Sequence, residues 1–381
     1  MKKLQIFFVM LLLVFSACTA RQIGVVPEDI SKDEPPIKIG VMYPLTGDAA
    51  AYGLPIQKAT QIAADEINTQ GGINGKQIKF IFEDSKCNAK DANAAAQKLV
   101  NVDKVKVIIG GVCSSETLGA APITEANKVI LISPSSTSPD ITNAGDFVFR
   151  VAPSDSFSGI VASEFAKNNL KATKAALITE SSDYAQGLRV VFKENFAKLG
   201  GTIVADETYN PEDTDFRTQA AKVKAANADV IYIVPQTPAK SVLLAKQIKE
   251  AGIKKQLLTA EVLIGRNLVK ENADALEGII GIEQSFNDNA PKTAVLLTKY
   301  KERAKEDAPI PTFMAGAYDV VYLVADAIAK NGENAEKIRD QLYSVRNFDG
   351  AVGKITFDKN GDVILGFSVK QVRNGELVTL K

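Results

Sequence analysis

The chain has 381 residues, with 45 basic and 45 acidic side chains, no histidine and 46% hydrophobic residues. This charge balance excludes the basic surface that nucleic-acid binding needs, and the lack of histidine removes the most common general base and zinc ligand. The segment 37–381 is longer than a chain that folds around a single hydrophobic core usually is, so two lobes are expected.

The N-terminal residues predict an exported protein. Two lysines precede an uncharged apolar run, Ile6 to Phe15, that is too short to cross a bilayer, which predicts a signal peptide over 1–17. Small residues precede Cys18 and resemble the lipobox of bacterial lipoproteins, in which the cysteine is acylated; ordinary cleavage after Ala17 is the alternative. Residues 18–36 lack apolar periodicity and end in two prolines, which predicts a flexible tether. We therefore expect a lipid anchor on the cell membrane, facing the periplasm or the exterior.

From Ile37 onward, short β-branched runs alternate with longer amphipathic runs. This alternation predicts an α/β fold with mostly parallel strands. In the first series we predict strands at 37–42, 77–84, 105–110 and 129–132, and helices at 56–69, 89–101 and 117–127.

A second series of the same kind begins after Arg150. It predicts helices at 156–169, 187–199, 216–226 and 239–251, and strands at 175–179, 202–208, 230–234 and 256–259. A strand at 278–285 follows, then helices at 293–306, 313–331 and 335–345 and two strand-like segments at 353–357 and 366–372.

We interpret this order as a return to the first lobe and one more crossing near the C-terminus. The predicted fold class is α/β, with two Rossmann-like lobes whose parallel central sheets are joined by a hinge of several strands. Lobe 1 comprises 37–154 plus 284–365, and lobe 2 comprises 155–283 plus 366–381.

The motifs of common enzymes are absent from the sequence. There is no G-x-S-x-G elbow, no Walker sequence and no G-x-G-x-x-G after a strand. Catalysis by a carboxylate, lysine or tyrosine is not excluded, but no spacing demands it. DKNGD at 358–362 is better explained as a hairpin turn than as a calcium loop. No metal site and no cofactor are predicted.

Polar loops follow the third and fourth strands of the first lobe, where open parallel sheets bind ligands. The loop GGVCSSET brings Ser114 and Ser115 to the start of a helix, where hydroxyl and backbone N–H groups suit a carboxylate. The loop SPSSTSPD offers carbonyls and the hydroxyls of Ser135 and Thr137, which can accept from an ammonium group. Each loop alone is also explained as a helix cap or turn, but the pair predicts a site for a small zwitterion.

Two cysteines, Cys87 and Cys113, remain once Cys18 is assigned to a lipid. In an exported chain a disulfide is the simpler interpretation, and two free buried cysteines are the alternative.

Several segments, in order, resemble the type I periplasmic binding proteins, and specifically the leucine/isoleucine/valine-binding proteins of bacterial ABC transporters. The similarity runs from about Ile37 to the C-terminus. It rests on PLTGDAAAYG, INTQGGINGKQIKFIFEDSKC, GGVCSSET, SPSSTSPD, SSDYAQGL and GAYDVVYL.

This resemblance implies a disulfide between Cys87 and Cys113. It also implies that Ser114 and Thr137, with the backbone at Ser135, bind the α-carboxylate and α-amino groups of the ligand from the first lobe.

From the second lobe the resemblance implies that Tyr184 closes over the ligand and that Glu261 pairs with its ammonium group. Tyr52 and Phe313 would line the pocket for the ligand side chain, and Asp319 belongs to a Tyr-Asp pair that is frequent in the family. Core aromatics, a solvated loop acid and a paired helical acid are the ordinary alternatives for these residues.

The sequence therefore predicts a monomeric, non-enzymatic solute-binding lipoprotein. It would bind a branched-chain or other neutral amino acid by hinge closure and deliver it to the permease subunits of an ABC transporter. Gln236 stands where the leucine-type binders carry an aromatic, which leaves the side-chain specificity open. The alternatives are a sensor or binder for another small acid or amide, a secreted hydrolase, and a structural lipoprotein.

Overall fold

The computed structural model describes residues 34–380. The predicted signal peptide, Cys18 and nearly all of the tether lie outside the described residues.

The strands alternate with helices along the chain, as the hydrophobic pattern predicts. They are β1 Ile37–Tyr43, β2 Ile78–Asp84, β3 Val107–Gly110, β4 Ile130–Ser133, β5 Val148–Arg150, β6 Lys174–Glu180, β7 Thr202–Tyr209, β8 Val230–Val234, β9 Gln256–Ala260, β10 Ile280–Gln284, β11 Phe348–Asp349, β12 Lys354–Ile355, β13 Phe367–Arg373 and β14 Glu376–Thr379.

The helices are α1 Ala50–Thr69, α2 Ala89–Asn101, α3 Ser114–Ala126, α4 Asp155–Glu164, α5 Asp183–Lys198, α6 Arg217–Ala225, α7 Pro238–Glu250, α8 Arg266–Glu271, α9 Ala273–Leu276, α10 Pro291–Ala304, α11 Pro311–Asn331 and α12 Ala335–Tyr343. A π turn, Phe165–Asn169, continues α4, and 3₁₀ turns occur at Pro139–Asn143 and Glu261–Ile264.

Two sheets organise the chain. The first has the order β2-β1-β3-β4-β5 and is parallel throughout. The second has the order β14-β13-β10-β9-β8-β6-β7, in which β13 and β14 are antiparallel to their neighbours. The strands of β1, β3 and β4 are almost wholly buried, because helices cover both faces of a parallel sheet. The α/β class with two parallel-sheet lobes is confirmed.

Some predicted boundaries were wrong, and two of them bear on the site. Helix α1 begins at Ala50 rather than at residue 56, because the alanine run after Gly47 is a strong helix former. Helix α3 begins at Ser114 rather than at residue 117, so Ser114 belongs to the first helical turn. Strands β5 and β14 were not predicted.

Helix α11 forms much of the first core. In the described part of the chain it is the one helix long and apolar enough to cross a membrane, but 67% of its apolar window is buried. It packs against α1, β3 and β4, so we interpret it as a core helix.

Three segments connect the two sheets, and they lie side by side. The first follows β5, the second follows β10, and the third precedes β13. Pro153 and Val363 form a parallel bridge, and the Ser285 N–H donates to the Gly366 carbonyl at 2.7 Å. The segment 358–362 is a tight turn, in which the Asp358 N–H donates to the Asp362 carbonyl at 2.8 Å. This triple connection is suited to act as a hinge.

A disulfide joins Cys87 to Cys113, as the resemblance implies, with Cα atoms 5.3 Å apart. It links the loop after β2 to the residue that precedes α3. The loop after β3, which is one of the two predicted polar loops, is thus covalently joined to the loop after β2.

Candidate functional site: a cavity between the carboxyl ends of two sheets

A cavity of about 30 Å³ lies where the loops at the carboxyl ends of the two sheets meet. This is the edge at which open parallel sheets bind ligands. A larger groove of about 420 Å³ lies at the amino ends of β9 and β10, on the wrong side of the second sheet for such a site. The cavity is lined by Tyr52, Val112, Cys113, Ser114, Ser135, Thr137, Tyr184, Gln236, Glu261, Val262 and Phe313.

Ser114 presents a hydroxyl donor to this cavity. Its oxygen accepts the N–H groups of Thr137 at 3.3 Å and Ser138 at 3.1 Å, so its own proton is left to donate elsewhere. Ser114 is also the first residue of α3, and the positive end of a helix dipole favours a negative group. This corner of the cavity suits a carboxylate.

The loop before α3 is held by the buried carboxylate of Glu116. One oxygen accepts from the Ser85 hydroxyl at 2.6 Å and the Cys87 N–H at 2.8 Å, and the other accepts from the N–H groups of Val112 and Cys113 at 2.7 and 2.9 Å. Burial raises the pKa of Glu116 to about 7, while these four donors favour the charged form. The start of α3 is therefore a rigid platform.

The loop after β4 is fixed to the loop after β3. The Ser133 hydroxyl donates to the Gly111 carbonyl at 2.7 Å, and the Ser135 hydroxyl donates to the Val112 carbonyl at 3.0 Å. The Ser135 proton is thus used within the protein, and its oxygen and backbone carbonyl are left as acceptors. Both polar loops predicted from the sequence are brought together.

Two buried acids lie near the cavity on the side of the second sheet, and of the two only Glu261 lines its wall. Glu261 follows β9, and burial raises its pKa to about 7. Asp155 begins α4, and burial, followed by the charge of Glu261, raises its pKa well above the ordinary value. The Asp155 N–H donates to the Thr137 carbonyl at 2.8 Å, whereas its Oδ2 has no hydrogen-bond partner within residues 34–380. Paired, desolvated carboxylates of this kind favour a cationic ligand group.

Three tyrosine hydroxyls around these acids are buried and lack hydrogen-bond partners among the described residues: those of Tyr52, Tyr184 and Tyr232. Burial raises the pKa of each well above its ordinary value, and the charge of Glu261 adds to the rise in all three. Tyr52 and Tyr184 line the cavity. Because buried polar groups in proteins are nearly always hydrogen-bonded, these two hydroxyls mark a place where a polar ligand completes the network.

Gln236 lines the cavity and is buried. Its N–H donates to the Glu180 carboxylate at 3.2 Å, and burial raises the pKa of Glu180 to about 7. Gln236 therefore presents a neutral polar side chain to the cavity.

Seven of the nine predicted ligand-binding residues line the cavity, namely Ser114, Ser135, Thr137, Tyr52, Tyr184, Glu261 and Phe313. Two predicted residues do not. Asp319 is turned into the core, where it accepts the N–H groups of Ala351 at 2.7 Å and Val352 at 2.8 Å, so its role is to hold the segment between β11 and β12. Ser115 lies beside Ser114 on α3 but does not reach the cavity wall.

Asp155 was missed by sequence reasoning. The available signal was an acid at the start of a helix directly after a predicted crossing between lobes.

No group of three or more histidine, cysteine, aspartate or glutamate side chains that could hold a metal occurs in residues 34–380.

The fold and the cavity define a class of protein. Two parallel-sheet lobes enclose a site with hydroxyl and N–H donors on one side and carboxylates on the other, and this is the arrangement of a solute-binding protein rather than an enzyme. The chain belongs to the periplasmic binding protein family, whose model matches residues 36–376.

Known relatives cover nearly the whole chain. The leucine-, isoleucine-, valine-, threonine- and alanine-binding protein of Pseudomonas aeruginosa is 32% identical over 86% of this chain and 87% of its own length. The crystal structure of the leucine-binding protein LivK from Thermotoga maritima has a TM-score of 0.83 and 31% identity, and covers 91% of this chain and 98% of its own. The branched-chain amino acid transporter substrate-binding protein LivJ from Streptococcus pneumoniae, solved with isoleucine, has a TM-score of 0.81 and 32% identity, with 91% and 100% covered.

Proposed function

We propose that this protein is the extracytoplasmic binding component of an ABC importer and captures a neutral α-amino acid of about branched-chain size. The observation that carries the proposal is the polarity of the cavity. A hydroxyl and a helix N-terminus lie on one wall, and the buried carboxylate of Glu261 lies on the other, with the buried acid Asp155 close enough for the charge of Glu261 to raise its pKa. Opposite poles of a zwitterion complement these two walls.

Each pole of the ligand has its own partners in this proposal. The α-carboxylate accepts from the Ser114 hydroxyl and the start of α3, and the ammonium donates to the Ser135 carbonyl, the Thr137 hydroxyl and Glu261. Asp155, whose N–H donates to the Thr137 carbonyl, is a second buried acid at the ammonium end. A ligand with a carboxylate alone would leave both acids without a partner, which disfavours a simple organic acid.

Binding is coupled to closure of two lobes, 37–154 plus 284–365 and 155–283 plus 366–381. The three adjacent connections between the sheets support this division. Ser114 and Thr137 belong to the first lobe, and Tyr184 and Glu261 to the second. A ligand that contacts both sets binds the closed form better, and this difference in affinity shifts the population to the closed form.

The finer assignments follow from the sequence and the relatives. Acylation of Cys18 would anchor a monomer to the membrane by lipid alone, and the closed form would be recognised by permease subunits. The relatives named for leucine, isoleucine and valine support a branched-chain ligand. Gln236 and its partner Glu180 make the pocket more polar, so threonine or alanine is also accommodated.

Replacing Ser114 or Thr137 by alanine is expected to weaken binding of L-leucine by about 1–3 kcal/mol each, because a buried charged group of the ligand loses a hydrogen bond. Isothermal titration calorimetry of ligand-stripped protein measures this effect. Ser115→Ala is the matched control, since Ser115 lies on the same helical turn outside the cavity and should leave affinity unchanged. Equal affinities for wild type, Ser114→Ala and Thr137→Ala would remove these residues from the site.

A further inference from the structure

A second chamber of about 60 Å³ adjoins the amino-acid cavity. The two share four wall residues, Tyr52, Glu261, Val262 and Phe313. The remaining walls come from the end of β10, the turn before α8 and the start of α11. Tyr52 and Phe313 are the residues proposed to flank the ligand side chain, so a longer side chain would extend into this chamber.

The chamber contains a buried hydrogen-bonding group that the protein does not use. Gln284 is the last residue of β10, is only 7% exposed and lines the chamber. Its amide nitrogen is buried and has no hydrogen-bond partner anywhere in the described chain. An unsatisfied buried amide is costly, so its retention favours a ligand partner.

The charges around the chamber are already compensated. Glu283 forms an ion pair with Lys370, and Arg266 forms one with Asp288. Glu261 serves the ligand ammonium in the proposed function. The N-terminus of α11, a 21-residue helix with proline in its first turn, also lies at the wall, and its dipole favours an oxygen atom with partial negative charge.

We propose that this chamber is a subsite for an amino-acid side chain that ends in a carboxamide, as in L-glutamine. The inference rests on the proposed function. The carbonyl oxygen of a carboxamide has two lone pairs, so it can accept a hydrogen bond from the Gln284 Nε2 and also face the start of α11. A charged side-chain end has no uncompensated counter-charge in the chamber, so a neutral end is selected.

The test compares L-glutamine with L-leucine by calorimetry on wild type, Gln284→Leu and Gln371→Leu. Gln371 is the matched control, because it lies on β13 opposite Ile280, at the other end of β10, and donates to the Gly278 carbonyl. We expect wild type to bind both ligands. Gln284→Leu should weaken glutamine binding roughly ten-fold and leave leucine binding unchanged, and the control should change neither.

Three results would overturn the subsite. The first is wild-type protein that binds leucine but not glutamine. The second is a Gln284→Leu variant whose affinity for glutamine is unchanged. The third is a Gln284→Leu variant that loses affinity for glutamine and leucine equally. Wild type that binds no amino acid overturns the proposed function as well, which separates the two failures. Circular dichroism checks folding, and Gln284→Met replaces the leucine variant if the latter does not fold.

Discussion

Replacement of Glu261 by glutamine is expected to weaken binding of L-leucine about a hundred-fold at pH 8. Removing one partner of a buried charge pair costs about 2–5 kcal/mol in affinity, because the remaining charge stays desolvated. Glu261 lines the cavity, so its carboxylate is the direct partner of the ligand ammonium in our proposal. Isothermal titration calorimetry on ligand-stripped protein measures the loss of affinity. Glu250 is an exposed acid, so the control variant Glu250→Gln should bind leucine as wild type does.

The same carboxylate predicts the pH dependence of binding. Burial raises the pKa of Glu261 to about 7, and burial together with the charge of Glu261 raises that of Asp155. A raised pKa means that these acids become neutral as the pH falls, and a neutral acid attracts the ammonium less. Affinity for leucine should therefore be greatest above pH 7 and fall between pH 8 and pH 6.

The slope of this fall should be smaller in Glu261→Gln, in which one titrating group is gone. Glu283 and Tyr184 also act on Glu261, but the Glu283 carboxylate is paired with Lys370 and the pKa of Tyr184 is raised far from this range. Affinity for leucine that is constant from pH 6 to pH 8 would contradict the proposed role of the two acids.

Removal of the Asp362 carboxylate is expected to destabilise the fold by about 3–5 kcal/mol, because it leaves a buried guanidinium without its counter-charge. Arg150 is fully buried. Its Nε and Nη2 donate to the two Asp362 oxygens at 2.6 and 2.8 Å, and it also donates to the Ser138 carbonyl and the Thr142 hydroxyl, both at 2.8 Å. Arg150 is the last residue of β5, so the pair joins β5 to the third connection between the sheets, and the bond to the Ser138 carbonyl adds the loop after β4.

Urea unfolding of Asp362→Ala, followed by circular dichroism, measures this loss. The matched control is Asp326→Ala, which removes an exposed i, i+4 pair with Lys330 and should cost less than about 1 kcal/mol. The double variant Arg150→Met, Asp362→Leu should recover part of the stability, because neither charge is then left alone. An Asp362→Ala free energy of unfolding within about 1 kcal/mol of wild type would show that the pair does not stabilise the fold.

Local sequence patterns predicted much of the fold. Buried strands such as β3 and β4 are short β-branched runs between polar loops, and this pattern can be recognised in the sequence without knowledge of tertiary contacts. The two polar loops after these strands were predicted to form a site because parallel strands bring their carboxyl ends to one edge. The start of α1 was placed too late because Pro55 argues against helix at that point, whereas the alanines before it favour helix and the structure includes both.

Two of the predicted site residues do not line the cavity, and one buried acid near it was not predicted. Asp319 was assigned to the ligand, but its carboxylate binds the backbone of Ala351 and Val352, a contact across 32 residues of sequence that no local pattern reveals. Ser115 follows Ser114 by one residue, and a single helical step turns it away from the cavity. Asp155 was missed because it reaches the Thr137 carbonyl only through the first crossing between the sheets.

The central claim is that the cavity neutralises both poles of one small zwitterion. The most direct measurement is a calorimetric comparison of L-leucine with leucine amide, which lacks the carboxylate, and 4-methylpentanoate, which lacks the ammonium. We predict that leucine binds and that each analogue binds at least about a hundred-fold more weakly, because one wall of the cavity then faces no opposite charge. An analogue without one pole that binds as tightly as leucine would contradict the account.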